Sequence, residues 1–243
     1  MLDIRHLSFS YDQKAPLLKD ISLTVSPGEL TVLIGPSGAG KTTLLRCMAL
    51  LENPQQGEIC IDDERLVYPL ESQKTFTPPW PKVTVVFQQL FLWPHLTLRE
   101  NILLPTKHRK DPTIPDKLEA LIHAFDMQGF IDKYPNEASL GQRQRVALAR
   151  ALILEPHYLL LDEITSSLDV EQIAKLLSYL KSLRGQNIGI FIITHLLSFA
   201  RHTADRVFFM ADGRIEESGT ASILRAPQTE RLAQFLSVVA TVS

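Results

Sequence analysis

Long hydrophobic runs are missing from this 243-residue sequence. Its most apolar stretches, such as Ile188-Gly189-Ile190-Phe191-Ile192-Ile193, fall far short of the roughly 18 residues that cross a bilayer. Any connection to a membrane therefore has to run through a partner protein. The first residues, Met1-Leu2-Asp3-Ile4-Arg5-His6, do not read as a secretory signal peptide. Cysteine is scarce: Cys47 and Cys60 each sit inside an apolar segment, with no CxxC pair and no metal-ligand spacing. A disulfide scaffold and a cysteine-built metal centre are excluded, and two buried, reduced thiols are expected. There is no excess of positive charge either. The formal net charge of −2 provides no global basic field to attract nucleic acid. Internal repeats and low-complexity tails are also absent.

What is present is a chain of ordinary globular composition, 45% apolar, long enough for one large domain or a domain with a subdomain. One octet stands out. Gly35-Pro36-Ser37-Gly38-Ala39-Gly40-Lys41-Thr42 fits G-x-x-x-x-G-K-[ST] without a mismatch. The β-type run Leu30-Thr31-Val32-Leu33-Ile34 leads in, and the helix-compatible run from Thr43 to Leu51 leads out. Small residues let backbone N–H groups turn inward around a polyphosphate, and the following helix adds its unpaired N–H groups and positive dipole end. Lys41 is placed to reach the β- and γ-phosphates, and the Thr42 hydroxyl to ligate Mg²⁺.

Along the chain, Leu2 to Ser10, Ile21 to Val25 and Leu30 to Ile34 are strand candidates, with a turn at Pro27-Gly28. Ile59 to Ile61 continues the β pattern. Residues 64–82 are polar and contain Pro78-Pro79-Trp80-Pro81, which predicts an irregular exposed connection before the short strand Val83 to Phe87. From about Gln88 to Pro156 the spacing becomes helical, over Leu98 to Leu104, Ile114 to Phe125 and Gly141 to Leu154. Tyr158 to Leu161 and Ile188 to Thr194 are continuous apolar runs, the pattern of parallel strands covered on both faces, with a helix from about Val170 to Leu183 between them. Asp212-Gly213 joins two hairpin strands, Asp205 to Ala211 and Arg214 to Ser218, and Gln228 to Val239 reads as an amphipathic helix.

Further polar groups fall at the ends of these apolar runs. Asp162 and Glu163 follow a buried strand, and in an open parallel sheet ligands bind beyond the carboxyl ends of the strands. Asp162 is assigned to the metal and Glu163 to the attacking water, which it can orient or deprotonate. Thr194-His195 ends another strand, so His195 is a third polar group expected on that edge, able to touch the γ-phosphate and position water.

Asn136-Glu137-Ala138-Ser139-Leu140-Gly141-Gln142-Arg143-Gln144-Arg145, followed by Val146 to Leu152, resembles the signature segment of ATP-binding cassette (ABC) ATPases, usually Leu-Ser-Gly-Gly-Gln. The octet, the Asp162-Glu163 pair, Ser166-Ser167-Leu168-Asp169 (similar to the D-loop), His195 (similar to the switch histidine) and Gln88 after Val85-Val86-Phe87 (similar to the Q-loop glutamine) occur in the family's order, over essentially the whole chain. The resemblance implies an α/β fold: a P-loop NTPase core with a mostly parallel sheet, an antiparallel β subdomain and an inserted α-helical subdomain. One domain would span 1–243, with 1–87 and 157–243 as core and 88–156 as helical subdomain. It implies ATP and Mg²⁺ as ligands. Tyr11 would stack on adenine, residues Gly35 to Thr43 would contact phosphates, and Gln88 would sense metal and water and join Glu163, His195 and Lys41 in catalysis. Two copies would pair head to tail, each nucleotide lying between one P-loop and the partner's Ser139, Gly141 and Gln142, with Asp169 crossing to the partner's P-loop.

One departure concerns the signature, which here reads Ala138-Ser139-Leu140-Gly141-Gln142. Leu140 would strain a position that needs φ > 0 or close phosphate approach; with negative φ and an outward side chain it is harmless, and the second reading is preferred. Leu44-Leu45-Arg46-Cys47, Leu50-Leu51-Glu52-Asn53-Pro54 and Gln88 to Ile102 resemble the ATPase subunits of polar amino-acid importers. That implies two membrane permease subunits, a solute-binding protein reached only indirectly, no nucleic-acid partner, and a place at the cytoplasmic face of the membrane. Phe91, Trp93 and Leu96 either line a groove for a permease helix or pack inside the helical region; periodicity leaves both open. The same cassette chemistry serves exporters and lipid- or lipoprotein-extracting machines, and a soluble non-transport ATPase is the alternative from another class. A P-loop kinase is disfavoured by the signature segment and by Glu163.

Overall fold

The computed structural model describes residues 1–12, 15–70, 78–164 and 170–242. In chain order the elements are β1 (Leu2–Phe9), β2 (Leu18–Val25), β3 (Leu30–Ile34), α1 (Lys41–Met48), β4 (Gln56–Ile61), β5 (Glu64–Tyr68), β6 (Val83–Val86), α2 (Leu98–Leu103), α3 (Ile114–Ala124) and α4 (Leu140–Leu152). They continue with β7 (Tyr158–Asp162), α5 (Val170–Gly185), β8 (Gly189–Ile193), α6 (Leu197–Thr203), β9 (Arg206–Ala211), β10 (Arg214–Gly219) and α7 (Glu230–Val242).

Two sheets form. The larger has strand order β10-β9-β3-β8-β7-β6, parallel from β9 through β6, with β10 antiparallel at the edge. The smaller is antiparallel, in the order β2-β1-β4-β5. The apolar runs of β3, β7 and β8 are continuous because both faces of the large sheet are covered. Leu33, Leu160, Phe191 and Ile193 face one core, shared with α1 and the antiparallel sheet. Val32, Leu159, Leu161 and Ile192 face a second core, shared with α3, α4, α5 and α7. Each such side chain, fully buried, contributes about 1.5–3 kcal/mol of transfer free energy.

The sequence explains where the helices begin. Thr97 and Glu100 close a reciprocal capping box at α2, and Ser139 and Gln142 do the same at α4. Each box satisfies two otherwise unpaired N–H groups. The segment between β6 and α2 has no regular structure and is pinned by side chains instead. Asn101, buried on α2, accepts from Trp93 N–H and donates to the carbonyls of Trp93, Leu96 and Thr97.

Two sequence expectations need correction. Residues 64–68, expected to be irregular, form β5 and pair with β4 from Gly57↔Tyr68 to Ile61↔Glu64. It is a largely exposed edge strand, so the burial that makes a strand visible as alternation is weak, and its turn is Asp62-Asp63 rather than a glycine turn. Cys60, expected to be buried, is only partly so, whereas Cys47 is buried as expected.

Candidate functional site

Four neighbouring strands of the large sheet release their chains at one edge. β3 runs into Gly35–Thr42, β8 into Thr194-His195, β7 ends on Asp162 before Glu163, and β6 leads through Phe87 to Gln88. The registers Leu33↔Ile193, Asp162↔Ile193 and Val86↔Leu161 place these exits side by side.

The loop after β3 is shaped by glycine and closed by lysine. Gly35 has φ +152°, and a Cβ there would stand 2.0 Å from the Met210 carbonyl oxygen. Gly40 is the N-cap of α1. The Lys41 side chain turns back along the loop, and its Nζ donates to the carbonyls of Gly35 and Pro36, each at 2.9 Å. An ammonium has three hydrogens, so one donor remains for a ligand. Burial lowers the Lys41 pKa, opposed by the nearby carboxylates of Glu163 and Asp162. Tyr11 is exposed, its ring edge-on to Phe9 and its hydroxyl 3.5 Å from Thr43 Oγ1. It therefore stands beside the start of α1.

Asp162 is 3% exposed, and its Oδ1 is buried with no hydrogen-bond partner. Burial raises its pKa, opposed by a side-chain hydrogen bond with Thr42. Thr42, Asp162 and Gln88 line one open cavity of about 390 Å³, together with Arg46, Glu52 and Gln89. A buried carboxylate oxygen without a partner beside a threonine hydroxyl suits a small hard cation, which takes one or two carboxylates and fills its remaining positions with water and phosphate oxygens. Among the described residues no group of three His, Cys, Asp or Glu side chains could hold a metal by itself. Leu51, Phe87 and Phe91 complete the lining, and Arg46, Glu52 and Gln89 were assigned no site role from the sequence. Arg46 could have been given one, since it lies one helical turn after Thr42 on α1.

Glu163 has a left-handed backbone, φ +51°, and its N–H donates to the Ile193 carbonyl at 3.0 Å. That turn carries its carboxylate to His195, whose Nε2 lies 2.6 Å from Oε1. An ionised carboxylate can only accept, so Nε2 carries the shared hydrogen.

The signature residues are not part of this group. Ser139 caps α4, accepting from Gln142 N–H at 3.2 Å, while the Gln142 side chain accepts from Ser139 N–H at 2.9 Å; Gly141 is buried in the first turn. Leu140 is the first residue of α4, so its φ is helical and demands no glycine, and its side chain is 44% exposed. Phe91 and Trp93 are exposed and Leu96 is partly buried. Asp169 and the rest of its loop, Ser166 to Leu168, lie outside the described residues.

A family model described as "ABC transporter" matches residues 18–166. The arginine transport ATP-binding protein ArtP of Escherichia coli (strain K12) is 42% identical over 225 residues, covering 90% of this chain and 93% of ArtP. The glutamine transport ATP-binding protein GlnQ of Geobacillus stearothermophilus is 40% identical over 226 residues, covering 91% of this chain and 92% of GlnQ. Among solved structures, the dimeric bacterial ABC transporter cassette MJ0796 superposes with a TM-score of 0.79 at 30% identity, over 91% of this chain and 99% of that one. A post-hydrolysis dimer of the same cassette bound to ADP and Pi gives 0.79 at 29% identity over the same shares.

Proposed function

The chain belongs to the ABC transporter family, and from that membership we propose that it is the ATP-hydrolysing subunit of an amino-acid importer. The observation that carries the chemistry is the convergence, at one sheet edge, of the Lys41 loop, the buried Asp162 carboxylate and the Glu163–His195 pair. Lys41 exchanges its two loop carbonyls for phosphate oxygens, and the first-turn N–H groups of α1 face the same charge. Tyr11 receives the adenine, beside Thr43 and the loop from Gly35 to Lys41. Thr42, Asp162 and Gln88 would hold a Mg²⁺, which when bound neutralises charge on the phosphate oxygens. Glu163 takes a proton from the attacking water; His195 fixes that carboxylate and reaches the γ-phosphate side.

Two copies pair head to tail, each contributing Ser139, Gly141 and Gln142 to the other's nucleotide, with Asp169 crossing the same interface. The dimeric form of MJ0796 supports this reading. The γ-phosphate is the group both copies grip, so hydrolysis releases them. The chain acts as one domain, 88–156 inserted into a core of 1–87 and 157–243. No helix among the described residues is long and apolar enough to cross a membrane. Transport therefore needs permease subunits, with the chain on their cytoplasmic face and a solute-binding protein beyond them. Phe91 and Trp93, exposed beside Gln88, offer them an apolar contact. The names of ArtP and GlnQ favour a polar amino acid as cargo. Reconstitution with permease subunits and a binding protein in liposomes tests this. ATP-dependent uptake of arginine or glutamine is expected; hydrolysis that drives no amino-acid uptake contradicts the importer reading.

A further inference from the structure

Arg150 lies near the end of α4 and makes an unusual use of its charge. Its two terminal nitrogens donate to successive backbone carbonyls, one to Leu90 at 2.6 Å and one to Phe91 at 2.8 Å. Burial lowers its pKa, and no ion pair to it is found among the described residues. A half-buried guanidinium with two backbone carbonyls as partners is costly unless those bonds hold something in place.

What they hold is a strained segment. Phe91 has φ +49°, a left-handed conformation for a bulky residue. Such a conformation costs about 1–3 kcal/mol and persists only where the surroundings over-determine it. Here the constraints are the Arg150 fork and an edge-on contact between the Phe91 and Phe87 rings, 6.0 Å between centroids. Gln88 lies between those two phenylalanines. The bent segment they clamp includes Gln88, which lines the cavity with Thr42 and Asp162.

We propose that Arg150 is a positioning residue for Gln88, fixing its segment in the cavity-facing shape and tying that segment to α4. The opposite end of α4 begins at Ser139, eleven residues or about 16 Å away. One rigid helix therefore links the segment offered to a second copy with the segment that reaches this copy's own metal-side cavity. Lysine does not reproduce the fork: it offers one nitrogen on a flexible stem where the guanidinium holds two nitrogens in a fixed plane, one for each carbonyl.

The proposal rests on the ATPase reading, and the test separates the two. ATPase rate, ATP affinity by calorimetry and thermal melting are measured for the parent, Gln88→Ala, Arg150→Lys, Arg150→Met and the double variant Gln88→Ala/Arg150→Lys. Arg150→Lys is expected to lower kcat about tenfold, with ATP affinity within about twofold of the parent and melting within a few degrees. In the Gln88→Ala background the same substitution is expected to cost nothing further, since the residue it positions is already gone. Parental kcat in Arg150→Lys, or losses that multiply in the double variant, overturn the proposal. A parent that hydrolyses no ATP overturns the ATPase reading itself. If Arg150→Met fails to fold, the lysine variant still decides.

Discussion

The Nε2 atom of His195 and the Oε1 atom of Glu163 lie 2.6 Å apart, joining the chain exits of two adjacent parallel strands, β8 and β7. Glu163 reaches this position through a left-handed turn anchored on Ile193, the strand residue that leads to His195. The carboxylate proposed to accept a proton is thus oriented by a group from the neighbouring strand. His195→Ala is expected to lower kcat about 100-fold or more, in the range of lost general-base assistance, while calorimetric ATP affinity changes by no more than about twofold. A change in affinity alone would assign His195 to binding instead.

Gly35 and Gly38 both have positive φ, at +152° and +80°, but their surroundings differ. An added Cβ at Gly35 collides with the Met210 backbone, whereas at Gly38 nothing lies within 4 Å. Gly38→Ala carries only the conformational cost, about 1 kcal/mol. Gly35→Ala adds a backbone collision and is expected to cost about 3 kcal/mol or more. Urea denaturation of the two variants without nucleotide measures the difference; equal midpoints would contradict the packing of β3 against β9.

The start of the C-terminal helix is tied to the sheet edge by Glu217 on β10. Its carboxylate accepts from Gln228 N–H at 3.0 Å, Thr229 N–H at 2.9 Å and the Thr229 hydroxyl at 2.7 Å. Burial alone would raise its pKa, but the Gln228 and Thr229 hydrogen bonds outweigh that and hold it below the ordinary carboxylate value. A depressed pKa in the folded state means the stabilisation is fully present above the unfolded pKa, about 4.3, and fades as pH falls below it. Glu217→Gln is expected to cost about 1 kcal/mol at pH 7, a figure discounted for solvent screening. That corresponds to about 2–4 °C in Tm. The gap between parent and variant should stay constant from pH 7 to pH 5 and shrink below about pH 4.3. A pH-independent gap would assign the effect to packing.

The strands that deliver the site were legible because burial on both faces writes them as unbroken apolar runs. Leu30–Ile34, Tyr158–Leu161 and Ile188–Thr194 are followed directly by Gly35, Asp162 and His195. The α4 start was legible within a residue because apolar residues recur at helical spacing from Gly141, and the capping box of Ser139 and Gln142 that fixes it in the structure is local. β5 was not, since an exposed edge strand has little apolar alternation to reveal it. The Arg150 clamp was not legible either. Its partners are 59 and 60 residues away in sequence, and no periodicity or local motif encodes a contact between a helix side chain and distant loop carbonyls. Whether Phe91 and Trp93 were buried also depended on tertiary placement; both proved exposed, on a segment pinned from beneath by Arg150 and Asn101.

The central claim is that a triphosphate joins two copies of this chain until Glu163 helps to cleave it. Sedimentation velocity of Glu163→Gln, which keeps the size of the side chain but cannot accept the water's proton, tests it most directly. With saturating ATP and Mg²⁺ the variant should sediment as a dimer, and with ADP or no nucleotide as a monomer. A variant that stays monomeric with ATP and Mg²⁺, even beside its membrane partners, would contradict the account.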